Sequence, residues 1–477
     1  MKKMTMQKSS EKRAINMLEG PIWNRVLQFA LPLMATGILQ QLFNAADIAV
    51  VGRFTGAQGA VAMAAVGACS PIIGLLLNAF IGISLGTNVV IANAVGRKEE
   101  NAISKAVHTS ILLALSGGVL LLILGELCAH AILASQNVPA EVLPLAIRYF
   151  RIYMIGMPVI LLYNFESAIF RGVGNTKTPL IALSMSGVLN VGLNLLFVIG
   201  FHMTVDGVAI ATVISNLVSS MILFVFLTRA DSSIRVRFRL LRFNIPVLKR
   251  ILRIGIPAGL QSAVFSFANI IIQSAINSLG TVVMAASSAA FNIEIFAYFV
   301  LNSFSQACTT FVGQNYGAGK VTRCKRIMGI CYLEGAIATA IAVGITLLTG
   351  HSLLSLFNTD PDVIRVGYYR LVIIFATFIF TLSYEIMSGY MRGFGISLLP
   401  AILTTVGICG VRITWILLVF PSDPTFENIM TVYPVSLFAA ALLMLIALLW
   451  RRPARHVLSG EKERSLEHPT DIYIEES

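Results

Sequence analysis

Apolar residues fall in twelve long stretches, each bounded by charged or turn-forming residues. The first set lies at 25–52, 62–88, 103–128, 147–170, 179–200 and 206–228. A second set follows at 250–276, 282–312, 327–349, 367–391, 398–420 and 431–450. Stretches of about 20 residues or more predict membrane-spanning helices, since a barrel strand needs only about half that length. The connections are short except for 229–249, which is rich in arginine and reads as a linker between two halves. The expected organisation is an N-terminal segment 1–24, a first lobe 25–228, the linker, a second lobe 250–450 and a polar, disordered tail 451–477.

Composition leaves no other class. Hydrophobic residues make up 56% of the chain and charged residues only 12%, with a mean hydropathy of +0.81. Soluble domains carry roughly 25% charge, so this surface must face lipid. The apolar run after the charged N-terminus is too long for a signal-peptide core, and no small-residue cleavage site follows it, so the first span is expected to be retained. The formal charge of +12 is that of a nucleic-acid binder, but the basic residues lie between spans, which predicts topology instead. One side takes Lys2, Lys3, Lys8, Lys12, Arg13 and Arg25, then Arg97, Lys98, Lys105, Arg171 and Lys177. It also takes the linker arginines, Lys320, Arg323, Lys325, Arg326, Arg392 and the basic residues of the tail. The opposite loops, 129–146, 201–205, 277–281 and 421–430, hold no Lys or Arg. The positive-inside rule therefore predicts both termini in the cytoplasm. Six scattered cysteines with no C-x-x-C pair read as reduced packing residues.

The two sets of spans repeat one another. YNFESAIFRGVGNTKTP (163–179) and YEIMSGYMRGFGISLLP (384–400) share a Y…RG-x-G…P frame. FALPLMATGILQQLFNAAD aligns with RIGIPAGLQSAVFSFANII, setting Pro32 against Pro257 and Asn44 against Asn269. Six spans per half make these parallel repeats, and transporters commonly hold substrate between such halves.

Polar residues inside the spans need a reason, because a charged group there costs about 3 kcal/mol. Gln40, Asn44 and Asp47 recur at i, i+4, i+7 and form one stripe in the outer part of the first helix. Structural hydrogen bonding is one reading of this stripe; a proton or cation acceptor in a wet cavity is the other. Asn190 and Asn194, four apart, share a face of the fifth span, and Thr212 falls at similar depth in the sixth. Carboxylate, amide and hydroxyl oxygens are hard ligands suited to Na⁺ or to a hydrogen-bonded proton site, whereas Asn and Thr alone serve equally as glue between helices. In the second half the stripe is uncharged: Ser262, Ser266, Asn269, Gln273 and Asn277. Glu294 and Glu385 are read as cavity carboxylates. Glu166 is either a cavity residue or a partner for a nearby base such as Arg171, and Arg412 is read as structural. Glu126 and Glu334 are placed near span ends. Pro32 and Pro257, read as lying in the first turns of their helices, permit bending.

These residues resemble the MATE family of multidrug and toxin exporters, within a larger group that also holds lipid-linked oligosaccharide flippases. The similarity rests on FALPLMATGILQQLFNAADIAVVGR, VAMAAVG, AVGRKEENAISKAV, FRGVGNTKTPL, LNVGLNLLF, GVAIATVIS, GIPAGLQSAVFS and TTFVGQNYGAGK, and extends from Gly20 to Trp450. It implies a V-shaped pair of six-helix bundles around a central cavity lined by Gln40, Asn44, Glu166, Ser262, Asn269, Glu294 and Glu385. It also implies export of amphipathic, often cationic, organic compounds against inward H⁺ or Na⁺, by a monomer in a bacterial inner membrane, with no cofactor and no nucleic-acid partner. The family's first-span aspartate matches Asp47. Its fifth- and sixth-span ion residues match Asn190, Asn194 and Thr212, a set that would hold Na⁺, although an acid is usual where Asn194 stands. The seventh-span glutamate of another branch is missing, and Glu385 resembles that branch's acidic tenth span. A flippase for lipid-linked sugars is the alternative, and it would call for more cationic cavity residues. No H-E-x-x-H, G-x-S-x-G or paired-aspartate motif within the spans suggests an enzyme.

Overall fold

The computed structural model describes residues 14–55, 59–135, 138–230 and 233–454. The basic residues Lys2, Lys3, Lys8, Lys12 and Arg13, and the tail from 455 onward, lie outside the described residues. In the first lobe the helices are α1 (Ile22–Phe54), α2 (Gly59–Gly96), α3 (Glu100–Ser135), α4 (Leu143–Ile155), α5 (Met157–Gly172), α6 (Lys177–Leu195) and α7 (Val205–Thr228). In the second they are α8 (Ile245–Asn277), α9 (Thr281–Gly317), α10 (Val321–Ser355), α11 (Pro361–Ala376), α12 (Phe378–Gly393), α13 (Leu398–Thr404), α14 (Val411–Leu418) and α15 (Phe426–Arg451). Among the described residues ten helices are long and apolar enough to cross a membrane, and two bent pairs bring the count to twelve where each pair is one span.

Two stretches read as single spans are in fact bent. α4 and α5 meet at 48° and α11 and α12 at 44°. At the first break Gly156 is followed by Pro158, whose missing N–H leaves a backbone bond unmade. At the second, the Thr377 hydroxyl donates to the Ile374 carbonyl at 2.6 Å, a back-bond that competes with the helix ladder. The spans 179–200 and 398–420 also carry π-helical turns, at Leu196–Gly200 and Thr405–Gly410. Pro32 and Pro257 do not lie in first turns. Both helices begin well before the apolar stretch, so each proline sits about three turns in.

The charge pattern is also less clean than the loops suggest. Arg53, Arg148, Arg151 and Arg365 lie toward the side opposite the N-terminus. Three of these are neutralised locally: Arg148 by Asp206, Arg151 by Glu126 at 3.4 Å and Arg365 by Asp362 at 2.9 Å. The positive excess therefore still falls on the N-terminal side, called here the near side.

Every hydrogen bond joining the lobes among the described residues lies toward that near side. Thr310 donates to Asn88 at 3.1 Å, Arg171 to Gln306 at 3.3 Å, Gln314 to the Gly172 carbonyl at 2.9 Å and Asn315 to the Met17 carbonyl at 3.1 Å. Asn93 reaches the Gly393 carbonyl at 3.5 Å, and Lys320 and Arg323 hold the carbonyls of Leu18 and Gly20. Glycines let the backbones approach closely enough for these bonds, as small residues do between membrane helices. A Cβ on Gly82 would strike the Gly259 backbone, and one on Gly96 the Gln314 carbonyl. Toward the far end of α2, Gly67 and Gly74 have nothing within 4 Å of that position. The lobes are thus sealed on the near side, while the far half of α2 packs within its own lobe through Ala62, Ala65, Val66 and Cys69.

Gly82→Val forces α2 away from α8. Overpacking of this kind costs about 1–3 kcal/mol, so the purified protein should melt at lower temperature than wild type. Unchanged melting would show that close approach at Gly82 is not needed.

Candidate functional site

α1 bridges the lobes. Its near half packs on the second lobe, with Phe29 edge-on to Phe311 at 5.7 Å and Gly37 against Phe299. Its far half turns to the first lobe, where Asp47 meets α6 and α7. The Asn194 amide donates to Asp47 Oδ1 at 2.5 Å, and the Thr212 hydroxyl to Oδ2 at 3.2 Å. Asn194 also donates to Asn190 Oδ1 at 3.3 Å. Three residues from two other helices, Asn190, Asn194 and Thr212, therefore gather around the Asp47 carboxyl group, and none of them is a base. Helical spacing explains the convergence: Asn190 and Asn194 share a face of α6, and Thr212 lies two turns into α7.

The donor set fits a small hard cation or a proton. Asn194 Oδ1 is buried with no hydrogen-bond partner, an unusual state for an interior amide oxygen. The Asp47 oxygens, Asn190 Oδ1 and Thr212 Oγ1 are of the kind a Na⁺ ion would take, and Asn194 would add its own oxygen with its amide turned over, since its NH2 now faces Asp47 and Asn190. Gln40, half-buried, and Asn44, exposed, continue this stripe along α1.

The other acidic residues sit inside their lobes. Glu166 is fully buried between α5 and α7, where Ser220 donates to it at 2.9 Å and its Oε1 has no partner. It does not pair with Arg171, which reaches across to Gln306 in the second lobe. Glu294 is not a free cavity carboxylate, because Arg370 binds both of its oxygens, at 2.8 and 3.3 Å. Arg370 also donates to Ser287 at 2.7 Å. This guanidinium was legible as a cation inside the stretch 367–391, but no spacing linked it to Glu294. Glu385 accepts from Ser305 at 3.1 Å and from the Tyr298 hydroxyl at 3.4 Å. From Tyr298 a ladder of bonds at i, i+4 spacing passes through Asn302 and Gln306 to Arg171, tying Glu385 to the near-side seal. Glu334, expected near a span end, is instead 2% exposed, well inside α10, and neither carboxyl oxygen has a partner. Arg412 is held by Ser436 and Asn269, and its guanidinium lies 4.5 Å over the Tyr433 ring. Of the second-lobe stripe, Ser262 is half-buried and Asn269 exposed.

Replacing Arg370 with Gln strands the Glu294 charge inside the lobe, an uncompensated burial that costs about 3–5 kcal/mol. The single variant should be strongly destabilised in a denaturant or thermal melt. The Glu294→Gln/Arg370→Gln double variant should recover most of the loss. A double variant as weak as the single would mean that the arginine acts through packing.

The MatE family matches the chain twice, over residues 32–196 and 257–417. Among curated relatives, the probable multidrug resistance protein YoeA of Bacillus subtilis is 27% identical over 402 residues, covering 82% of this chain and 86% of that protein. The probable multidrug resistance protein NorM of Thermotoga maritima is 28% identical over 404 residues, with 82% and 84% covered. The fold is that of a MATE family multidrug resistance transporter of the MOP superfamily solved in its outward-facing conformation. The TM-score is 0.84 at 22% identity, over 94% of this chain and 99% of that one. The chain is a multi-pass membrane protein and belongs to the MATE family of transporters.

Proposed function

We propose that the protein is a secondary active multidrug exporter. In this reading it expels amphipathic, often cationic, organic compounds in exchange for inward H⁺ or Na⁺. The observation that carries the reading is the Asp47 carboxyl group, held within the membrane span by Asn194 and Thr212 and by no base. An ion-paired carboxylate would be electrically satisfied. One held only by neutral donors keeps a reason to take up a cation. The names of the relatives, multidrug resistance proteins, support the choice of cargo.

Asp47 and the lobe seal are joined through α1. Ion uptake at Asp47 changes what Asn194 and Thr212 can donate to, and the far half of α1 responds. The near half is fixed to the second lobe at Phe29 and Gly37. Within this anchored stretch Pro32 leaves the Gln28 carbonyl without its helical donor, which weakens the helix there. The near side is read as cytoplasmic, with both termini there, in a bacterial inner membrane and with the protein as a monomer. The present state then opens outward, and cargo would be released to that side.

In liposomes loaded with ethidium, efflux should follow an imposed pH or Na⁺ gradient, and the gradient that works identifies the ion. Asp47→Asn keeps the size of the side chain and removes its charge. That variant should insert normally but lose efflux entirely. Wild-type efflux by Asp47→Asn would remove this residue from the mechanism.

A further inference from the structure

The second lobe contains a charged centre that the exporter reading does not use. Arg370 and Arg412 converge on Tyr433: the two guanidinium carbons lie 5.5 and 4.5 Å from the ring centroid. Arg370 takes both oxygens of Glu294, so that pair is neutral. Arg412 is left over. It is 9% exposed, and its partners are uncharged: Nε donates to Ser436 at 3.2 Å and Nη1 to Asn269 Oδ1 at 3.3 Å. Its Nη2 makes no hydrogen bond among the described residues, and no carboxylate lies within ion-pair distance of it there. The remaining acid of this region, Glu385, is held by Ser305 and Tyr298. A guanidinium placed this deep, without a counter-charge, is costly unless an anion completes it.

The repeat shows what this centre corresponds to. α15 begins at Phe426 as α7 begins at Val205, and in that register Tyr433 occupies the place of Thr212. In the register that sets Pro400 against Pro179, Arg412 falls next to the position of Asn190. Asn269 matches Asn44. The two lobes therefore carry polar centres at equivalent places but of opposite sign: a carboxylate with amide and hydroxyl donors in the first, a guanidinium with amide and hydroxyl acceptors in the second. Asn269 also belongs to the stripe Ser262, Ser266, Asn269, Gln273, one face of α8. Asn269 is exposed on that face, and a polar row facing hydrocarbon would be unfavourable, so the row marks the wet approach to Arg412.

We propose that Arg412, framed by Asn269, Ser436 and Tyr433, is a binding site for a singly charged oxyanion such as a carboxylate or sulfonate. The preferred cargo is then zwitterionic or anionic rather than purely cationic. A guanidinium fork suits a planar oxyanion. Because Glu294 already neutralises Arg370, one positive charge is on offer, which matches a monoanion and falls short of a pyrophosphate. What the site does in transport rests on the exporter reading, but binding does not.

The test is equilibrium binding to the purified full chain in nanodiscs of zwitterionic lipid, read by fluorescence anisotropy. The probes are rhodamine B, which carries a free carboxylate, and its ethyl ester, which keeps the same cationic ring system without that charge. A charge-assisted hydrogen bond of about 1.5 kcal/mol or more predicts that wild type binds the acid about tenfold more tightly than the ester. Arg412→Gln should bring the acid down to the ester and leave the ester within about twofold of its wild-type affinity. Arg412→Lys, which keeps the charge but loses the fork, should retain part of the preference. Equal affinities in wild type, a comparison that needs no variant, would overturn the proposal. So would a preference that survives in Arg412→Gln. No gradient is applied, so loss of antiport and loss of the anion site are separate results.

Discussion

An ion inside a membrane must be matched by a countercharge, by hydrogen-bond partners or by water, and this cost organises the whole molecule. Four of its intramembrane carboxylates meet the cost in different ways, while Glu334 has no partner on either oxygen. Glu294 does so by pairing with Arg370, and Glu166 and Glu385 by accepting from hydroxyls within their lobes. Asp47 accepts from an amide and a hydroxyl contributed by two other helices. The first solution fixes a group in place. The last leaves its charge unbalanced, and an unbalanced charge responds to whatever ion arrives. Arg412 poses the same problem with the opposite sign.

The seal between the lobes follows from a second constraint. Membrane helices gain nothing from excluding water from apolar faces, so they associate through close packing and hydrogen bonds. Gly82, Gly96, Gly255, Gly259 and Gly317 remove the side chains that would hold α2 away from α8 and α9. Asn88, Gln306, Gln314 and Asn315 then cross the gap. A contact made of many modest hydrogen bonds, with no ion pair between the lobes among the described residues, can be broken and remade, as alternation between two states requires. A large apolar interface or a set of buried ion pairs would hold the lobes more permanently.

Much of this was legible in the sequence, because the membrane restricts what a chain can do. Ten of the twelve apolar stretches correspond to single long helices and the other two to bent pairs, and the Y…RG-x-G…P frames fall on α5 and α12, the second halves of those pairs. Helical spacing and depth offered Asn190, Asn194 and Thr212 as partners for Asp47, with glue between helices as the equal reading, and the family resemblance singled them out as a set. The bends at Gly156 and Thr377 were not visible, because a broken helix and a straight one present the same apolar composition. The depth of Pro32 was misjudged for a related reason: α1 begins at Ile22, before hydrophobicity rises, so the apolar stretch marks the bilayer rather than the helix. Pairing inside the second lobe was also hidden. Arg370 and Glu294 lie 76 positions apart, on helices whose relative rotation no one-dimensional pattern records.

The bridging position of α1 explains why one carboxyl group can matter to a twelve-helix assembly. Had α1 packed wholly within the first lobe, a change at Asp47 would be absorbed there by α6 and α7. Instead the helix carrying Asp47 is anchored at Phe29 and Gly37 to α9, the same helix whose Gln306, Thr310, Gln314 and Asn315 form the seal. Thr176 adds a bond from the first lobe to the Phe29 carbonyl at 3.1 Å, beside the gap left by Pro32. Shifting the far half of α1 while its near half stays fixed places the strain beyond Gly37, the anchor nearest to Asp47, and Pro32 lies within the anchored stretch, where one backbone hydrogen bond is already missing. The ion site and the seal are therefore two ends of one mechanical element.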